Sequence, residues 1–354
     1  MMIRSIISAA LLSLAAGTAL PSFARDSGSA TQPDSARYNR PVKVMIITML
    51  GPEAQVWLDR LGPWKTVPIA GLSPDYPNVH CNRHDVCVVT TGMGYANASA
   101  SIMALTFSAR LDLRHTYFLI SGIAGVDPAR GTAGSAAWAK YLVDFGIQWE
   151  LDAREIPADW NSGYLDINTK NPSQKPALDY RNEVFNLNPE LADAAFALSR
   201  NVVLADSAEA EAARSNFSYA PANQPPAVIQ CDIASSNTWW SGTLLGQRAR
   251  EWTNIVTDNK GVYCMTAQED NATVEALKRA SSIKRVDLNR VAALRTGSDF
   301  DRPYQGQTSA DNLLHYAEQG GFATATENLY RAGNPLVQDI VTHWRQWHNG
   351  VPRR

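Results

Sequence analysis

Three strand-like apolar runs in this chain are each followed closely by glycine, and this arrangement constrains the fold more than any other feature. Because glycine has no Cβ, a small molecule can approach backbone N–H groups closely where such a strand ends in a turn. Asp299 adds a titratable carboxyl to the third segment. We therefore expect an enzyme that acts on a small polar molecule. The three glycine-containing segments are 90–95, 121–125 and 295–299.

Strand-like and helix-like patterns alternate along most of the chain. The continuous apolar run at 42–47 is typical of a buried strand, whereas 97–111 is rich in Ala and Ser and has helical character. This alternation predicts an α/β fold with a central mixed, largely parallel twisted sheet flanked by helices. We expect residues 41–350 to form a single domain. Residues 150–188 contain three prolines and no clear periodicity, which predicts a long insertion that is a loop or a lid.

The N-terminal residues have the pattern of a signal peptide. Arg4 supplies the positive charge, residues 6–20 are mostly apolar, and small residues lead to a cleavage position after Ala24. A single membrane anchor is the alternative, but the apolar run is short for a bilayer span of about 20 residues. We therefore expect residues 1–24 to be removed, residues 25–40 to be a flexible leader, and the protein to be periplasmic or extracellular. No run of 18 apolar residues follows, so no transmembrane helix is expected in the mature chain.

Charge and cysteine content narrow the possible partners. The net charge is −2 and no basic stripe is present, so a nucleic acid polymer is not expected as a partner. An exported chain can form disulfides: Cys81–Cys87 could close a local hairpin and Cys231–Cys264 could join neighbouring strands, although the sequence does not fix the pairing. The segment 80–87 also contains two His and two Cys, but it lacks a Cys-x2-Cys unit, and we expect no metal site there. The four cysteines are Cys81, Cys87, Cys231 and Cys264.

An ordered set of short motifs resembles the nucleoside phosphorylase and nucleosidase superfamily and, more closely, the purine nucleoside permease family. The resemblance covers most of residues 41–315. It implies a nucleoside phosphorylase-like fold, a purine nucleoside as the ligand and no cofactor. Members of the superfamily are commonly oligomers, so the resemblance also implies a possible homo-oligomer. The motifs are the first strand with Gly51–Val56, then Thr91–Gly94, Ser121–Gly125, Ser236–Trp239, Gln268–Thr273 and Arg295–Asp299.

The resemblance implies a role for several of these residues. Asp299 would face the purine N7 as the general acid, and Trp239 would stack on the base. Glu269 or Asn271, depending on the alignment, would bind the ribose hydroxyls. The other residues expected around the substrate are Gly92, Gly94, Gly122, Gly125, Asn237, Arg295 and Ser298. Glu53 or Gln55 would orient the attacking water, and a carboxylate there could also accept its proton.

Each of these residues also has a purely structural explanation. Asp299 could cap the loop that follows it, and Glu53 could simply stabilise a helix N-terminus. Trp239 and Trp240 could belong to the core. Arg295 could orient Asp299 or pair with an acid on the surface.

Two departures from the superfamily pattern bear on the reaction. Ile120 and Ile123 stand where phosphorolytic members usually have an Arg and a Ser that hold phosphate, and an aliphatic side chain cannot donate a hydrogen bond to an oxyanion. The turn at Gly51 also lacks the Arg that often follows it in phosphorylases. We therefore expect an exported enzyme that hydrolyses purine nucleosides to base and ribose. The alternatives are a nucleoside-binding protein of permease-type uptake and a phosphate-dependent phosphorylase.

Overall fold

A mixed sheet of twelve strands organises residues 40–353, the part of the chain that the computed structural model describes. The predicted signal peptide 1–24, and the predicted leader except for Arg40, lie outside the described residues. Among residues 40–353, no helix combines the length and the apolar character needed to cross a membrane.

Strands and helices alternate as the sequence predicts. The first half contains β1 (Val44–Thr48), α1 (Gly51–Leu61), β2 (Trp64–Pro68), β3 (Asn78–Asn82), β4 (Val86–Thr90), α2 (Tyr95–Phe107), β5 (Tyr117–Val126), β6 (Ala136–Ala139), β7 (Tyr141–Asp144), β8 (Trp149–Glu150) and β9 (Tyr164–Leu165). The second half contains β10 (Val184–Asn186), α3 (Pro189–Ser199), α4 (Ala208–Arg214), β11 (Val228–Gln230), β12 (Asp232–Ser235), α5 (Thr243–Val256), β13 (Tyr263–Ala267), α6 (Asp270–Ser282), β14 (Val291–Phe300), α7 (Ser309–Leu314), α8 (Gly321–Thr342) and α9 (Trp344–Trp347).

The strand order is β10-β7-β12-β13-β5-β1-β4-β3-β2, with β14 joining β5 to β6 and β6 joining β11. The central pairs β1–β4, β1–β5 and β5–β14 are parallel, whereas β13–β5 and β14–β6 are antiparallel. Continuous apolar strands such as β1 and β4 are buried along their whole length, because helices cover the sheet. The predicted α/β fold with a mixed, largely parallel sheet is confirmed.

The prediction that two glycine segments form turns is wrong. Residues 121–125 continue β5 and residues 295–299 continue β14, with Gly122 opposite Arg295 and Gly125 opposite Asp299. A Cβ on Gly122 would lie 2.2 Å from Cε of Met49 and 2.5 Å from Nη1 of Arg295. Glycine therefore permits close packing of neighbouring side chains inside the sheet at this position.

The remaining glycine segment is a turn. Gly92 and Gly94 have φ angles of +83° and +86°, and the chain enters α2 directly after them. Residues with a Cβ rarely adopt this conformation, so glycine is required for the chain to turn here. The predicted helix at 97–111 therefore begins earlier, at Tyr95, and ends at Phe107.

Both disulfides form. Cys81–Cys87 joins the neighbouring strands β3 and β4, and Cys231–Cys264 joins the chain just before β12 to β13. No group of three or more His, Cys, Asp or Glu in residues 40–353 is arranged to hold a metal ion. The insertion 150–188 contains only β9, β10 and the last residue of β8 as regular structure.

Candidate active site

A cleft opens where the C-terminal parts of β5, β13 and β14 meet the N-terminus of α1. Four charged residues line it among the described residues: Glu53, Glu269, Arg295 and Asp299. All four are at least 96% buried. The described insertion 150–188 contributes no lining residue. Charged groups this deeply buried are expected either in ion pairs or at functional sites.

Glu53 lies in the first turn of α1, and backbone donors surround its carboxyl group. Its Oε2 accepts hydrogen bonds from the N–H groups of Met49 (2.7 Å) and Leu50 (3.2 Å), and its Oε1 accepts one from Ile123 N–H at 2.8 Å. Burial raises the pKa of Glu53 to about 7, against the opposing effects of the Arg295 charge and of the backbone donors. Glu53 can therefore take up or release a proton near neutral pH.

Asp299 lies near the end of β14 and carries the second carboxyl of the cleft with a raised pKa. Burial raises this pKa to about 6, the Ser298 hydroxyl opposes the rise, and the charge of Asp301 adds to it. Ser298 Oγ lies 2.7 Å from Asp299 Oδ1 and 3.1 Å from the carbonyl oxygen of Ala124. The hydroxyl has one hydrogen to donate, so it can hydrogen-bond either to the Ala124 carbonyl oxygen or, once Asp299 is ionised, to its carboxylate.

Arg295 connects the two sides of the cleft. Its Nη2 donates to Glu269 Oε2 (3.0 Å) and to Asp270 Oδ2 (2.6 Å), and its Nε donates to Asp270 Oδ1 at 3.3 Å. Its Nη1 donates to the carbonyl oxygen of Ile123 at 2.9 Å. Two carboxylates thus share the positive charge of this one guanidinium.

The turn at Gly94 is fastened to the rim of the cleft by two side chains. Glu269 Oε1 accepts a hydrogen bond from Gly94 N–H at 2.9 Å, and Asn237 Oδ1 accepts one from Tyr95 N–H at 2.8 Å. Met93, at the tip of this turn, lines the cleft with 57% of its surface exposed. The turn therefore forms one wall of the cleft.

Aromatic side chains also form part of the rim of the cleft. Trp239 lines the cleft, is 45% exposed, and contacts Tyr316 with ring centroids 4.7 Å apart. Trp240 also lines the cleft, but it is buried and packs against Phe145 with centroids 5.5 Å apart. Trp239 therefore keeps an accessible surface, whereas Trp240 belongs to the core.

The structure brings together seven of the site residues expected from the sequence and leaves five behind or beside the cleft. Asn271 is buried, donates to the backbone oxygens of Asn182 and Glu183, and lines a different groove between α2 and α6. Gln55 lies outside the cleft and bonds to Asp59. The lining residues are Glu53, Gly125, Trp239, Glu269, Arg295, Ser298 and Asp299, and those that do not line the cleft are Gly92, Gly94, Gly122, Asn237 and Asn271.

Sequence reasoning missed four polar residues of this site, of which Thr238 lines the cleft beside Trp239. Thr266 lines the cleft and its Oγ1 accepts a hydrogen bond from Gly125 N–H at 3.1 Å. Gln268 lines the cleft and donates to the carbonyl oxygen of Asn237. Asp270 binds Arg295 from behind the cleft wall. Gln268 and Asp270 are the direct sequence neighbours of Glu269, which was the available signal for these two residues.

Comparison with known proteins identifies the family. The purine nucleoside permease (NUP) family model matches residues 41–352. A probable purine nucleoside permease of Schizosaccharomyces pombe is 40% identical over 316 residues, which are 86% of this chain and 90% of the relative. A purine nucleoside permease of Candida albicans is 36% identical over 319 residues, which are 87% of this chain and 78% of the relative.

Solved structures share the fold at low sequence identity. The 5'-methylthioadenosine/S-adenosylhomocysteine nucleosidase of Neisseria meningitidis, in complex with methylthio-immucillin-A, has a TM-score of 0.52 at 14% identity and covers 84% of this chain and 99% of its own. The futalosine hydrolase of Helicobacter pylori has a TM-score of 0.50 at 13% identity, covering 84% and 98%. The resemblance inferred from the motifs is thus confirmed, and the chain belongs to the purine nucleoside permease family and has a nucleoside phosphorylase-like fold.

Proposed function

We propose that this protein hydrolyses purine nucleosides to the free base and ribose, with Asp299 as the general acid and Glu53 as the general base. One observation carries the proposal: two buried carboxyls with raised pKa values line a single cleft whose rim carries an accessible tryptophan. Cleavage of an N-glycosidic bond needs a proton for the leaving base and a group that activates water.

In the proposed reaction, the bond between C1′ and N9 breaks and its electron pair remains on the purine. Asp299 donates a proton to N7, so that the base leaves as a neutral molecule. Water attacks C1′, and its proton passes to Glu53. The carboxylates of the cleft stabilise the positive charge that develops on the sugar. The Ser298 hydroxyl can then donate a hydrogen bond to the new Asp299 carboxylate, which favours the ionised product state.

Glu269 and Trp239 would hold the substrate. Glu269 Oε2 accepts hydrogen bonds from Arg295 and from Gln268 N–H, whereas Oε1 accepts only one, from Gly94 N–H. Oε1 can therefore also accept a hydrogen bond from a ribose hydroxyl. Trp239 presents an accessible surface on which the purine can stack, and Tyr316 supports its ring. Stacking of this kind contributes about 1 kcal/mol beyond area burial.

The charge of the cleft favours water over phosphate as the nucleophile. Three of the four charged lining residues are acidic: Glu53, Glu269 and Asp299. The guanidinium of Arg295 already donates to two carboxylates and a backbone oxygen. Ile123 adds an aliphatic side chain to the lining. A phosphate anion would meet uncompensated negative charge here, whereas a water molecule would not.

Incubation of the purified protein with inosine or adenosine, with and without phosphate, tests the proposal. Release of the base is followed by chromatography, and the sugar product is identified as ribose or ribose 1-phosphate. We expect free ribose at a rate that phosphate does not change. Strict dependence on phosphate would select the phosphorylase alternative, and no base release under either condition would rule out both enzymes.

The names of the relatives favour a second candidate, a protein that binds nucleosides for uptake without cleaving them. It predicts saturable nucleoside binding in calorimetry, no product, and an affinity that Asp299→Asn leaves unchanged. The calorimetric titration therefore separates the two functions, because a hydrolase would consume the nucleoside during the titration and a binding protein would not.

Export is the remaining part of the proposal. The pattern of residues 1–24 supports it, and the two disulfides are consistent with an oxidising compartment. N-terminal sequencing of the mature protein is expected to begin at Arg25. An intact Met1 on protein recovered from the cytoplasm would contradict export.

A further inference from the structure

Asp270 is a fully buried carboxylate that does not line the described cleft and has no role in the proposed reaction. It is the first residue of α6 and holds the guanidinium of Arg295 through two of its nitrogens, Nη2 at 2.6 Å and Nε at 3.3 Å. Its Oδ2 also lies 3.3 Å from Ser235 Oγ. Two-point contact of this kind fixes the plane of a guanidinium as well as its position.

We propose that Asp270 is a positioning residue that pins Arg295 in the cleft wall and offsets its charge, and that it thereby controls the protonation of Glu53. The inference rests on the proposed function only for the role of Glu53 as a base. The contact between Asp270 and Arg295, and its effect on a neighbouring carboxyl, do not depend on turnover.

The peptide groups of Ile123 connect Arg295 to Glu53. Arg295 Nη1 donates to the Ile123 carbonyl oxygen, and the Ile123 N–H donates to Glu53 Oε1. A Cβ on Gly122 would lie 2.5 Å from Arg295 Nη1 and 3.0 Å from Glu53 Oε1, so both side chains crowd the same side of this glycine. A guanidinium released by Asp270 would therefore move in the immediate surroundings of the Glu53 carboxyl.

The charges around Glu53 determine the direction of the effect. The charge of Arg295 lowers the pKa of Glu53, and the charge of Glu269 raises it. Two further carboxyls are near: Asp299 lines the same cleft, and Asp270 binds Arg295 from behind the cleft wall. Removing the negative charge of Asp270 leaves the positive charge of Arg295 less compensated. The ionised form of Glu53 is then favoured, and its pKa falls.

The test is a titration of the Glu53 carboxyl carbon by 13C NMR, with the signal assigned by its loss in Glu53→Gln. In Asp270→Asn we expect the midpoint to fall by about one pH unit. We also expect kcat/KM to fall by about 10- to 100-fold, because Arg295 loses its fixed position. The matched control is Asp206→Asn, which breaks a bidentate pair with Arg214 outside the cleft and is expected to leave the midpoint unchanged.

Circular dichroism establishes that each variant is folded, and Asp270→Ser replaces Asp270→Asn if the amide prevents folding. A folded variant with an unchanged midpoint would overturn the proposal. Failure of both Asp270 variants to fold, with Asp206→Asn folded, would overturn it in favour of a purely structural role. A shifted midpoint in a protein that cleaves no nucleoside would support the inference and reject only the proposed function.

Discussion

Replacement of Asp299 by Asn is the most direct test of the proposed chemistry. The amide has nearly the same shape as the carboxyl, and its oxygen can still accept the hydrogen bond from Ser298, so the cleft should keep its geometry. The amide cannot deliver a proton to the leaving purine. A positioned general acid contributes about 10²- to 10⁴-fold, so we expect kcat to fall by that factor.

The pH profile gives a sharper signature than the rate. In the proposed mechanism, the active form of the free protein needs Glu53 ionised and Asp299 protonated, and burial raises their pKa values to about 7 and about 6. Because Glu53 has the higher pKa of the two, only a minority of the molecules have this combination at the optimum, near pH 6.5. The wild-type profile of kcat/KM should therefore be a bell that falls on both sides of this optimum.

The variant should lose the alkaline limb, because it has no acid to deprotonate. Its remaining activity should rise with pH through about 7 as Glu53 ionises, and should then reach a plateau. Initial rates of base release between pH 5 and 9 measure both profiles, with Asp59→Asn on the exposed surface of α1 as the control. A variant that retains the fall above pH 7 would refute the assignment of Asp299 as the acid.

Three further changes test other parts of the structure. Trp239→Ala should raise KM by about 5- to 10-fold with little change in kcat, because stacking contributes about 1 kcal/mol. Steady-state kinetics with inosine measure both constants, and an unchanged KM would show that Trp239 does not contact the base. Gly122→Ala should cost about 1–3 kcal/mol of unfolding free energy, because the new methyl overlaps two neighbouring side chains, whereas Gly146→Ala meets its nearest atom at 3.5 Å and should change little. Equal urea midpoints for the two variants would contradict this packing argument. Replacing Cys231 and Cys264 by Ser should lower the unfolding free energy by about 3 kcal/mol relative to the oxidised wild type, measured by urea unfolding. A double variant as stable as the oxidised wild type would contradict a stabilising role for this disulfide.

The sequence patterns were sufficient for the fold class, because continuous apolar strands and intervening helices have distinct periodicities. They were not sufficient for the local structure at the glycines. In sequence, a glycine that allows a turn and a glycine that allows close packing are identical. Gly94 has a positive φ and directly precedes α2, whereas Gly122 lies inside β5 opposite Arg295 of β14. Only the pairing of β5 with β14 separates these two cases.

The sequence motifs predicted individual residues of the candidate site. They did not predict the contacts between residues that are distant in sequence. Glu53, Glu269 and Asp299 were identified from motifs, and all three line the cleft. Asn271 is only two residues from Glu269 but faces a different groove, because the first turn of α6 directs the two side chains differently. The partner of Asp270 is 25 residues away in the chain, so no local pattern could reveal their contact.

The buried carboxyl of Asp299 also links the proposed activity to the stability of the fold. The pKa of Asp299 rises on folding from 3.8 to about 6, so the folded state binds more protons than the unfolded state between these pH values, and stability falls as pH rises through this window. Above it, the buried carboxylate costs about 3 kcal/mol. Asp299→Asn removes this cost. The variant should therefore unfold at a higher urea concentration than wild type at pH 8, and at pH 4 the two midpoints should no longer differ in this way. A variant that is less stable than wild type at pH 8 would show that the ionised carboxylate is better stabilised in the cleft than its burial implies.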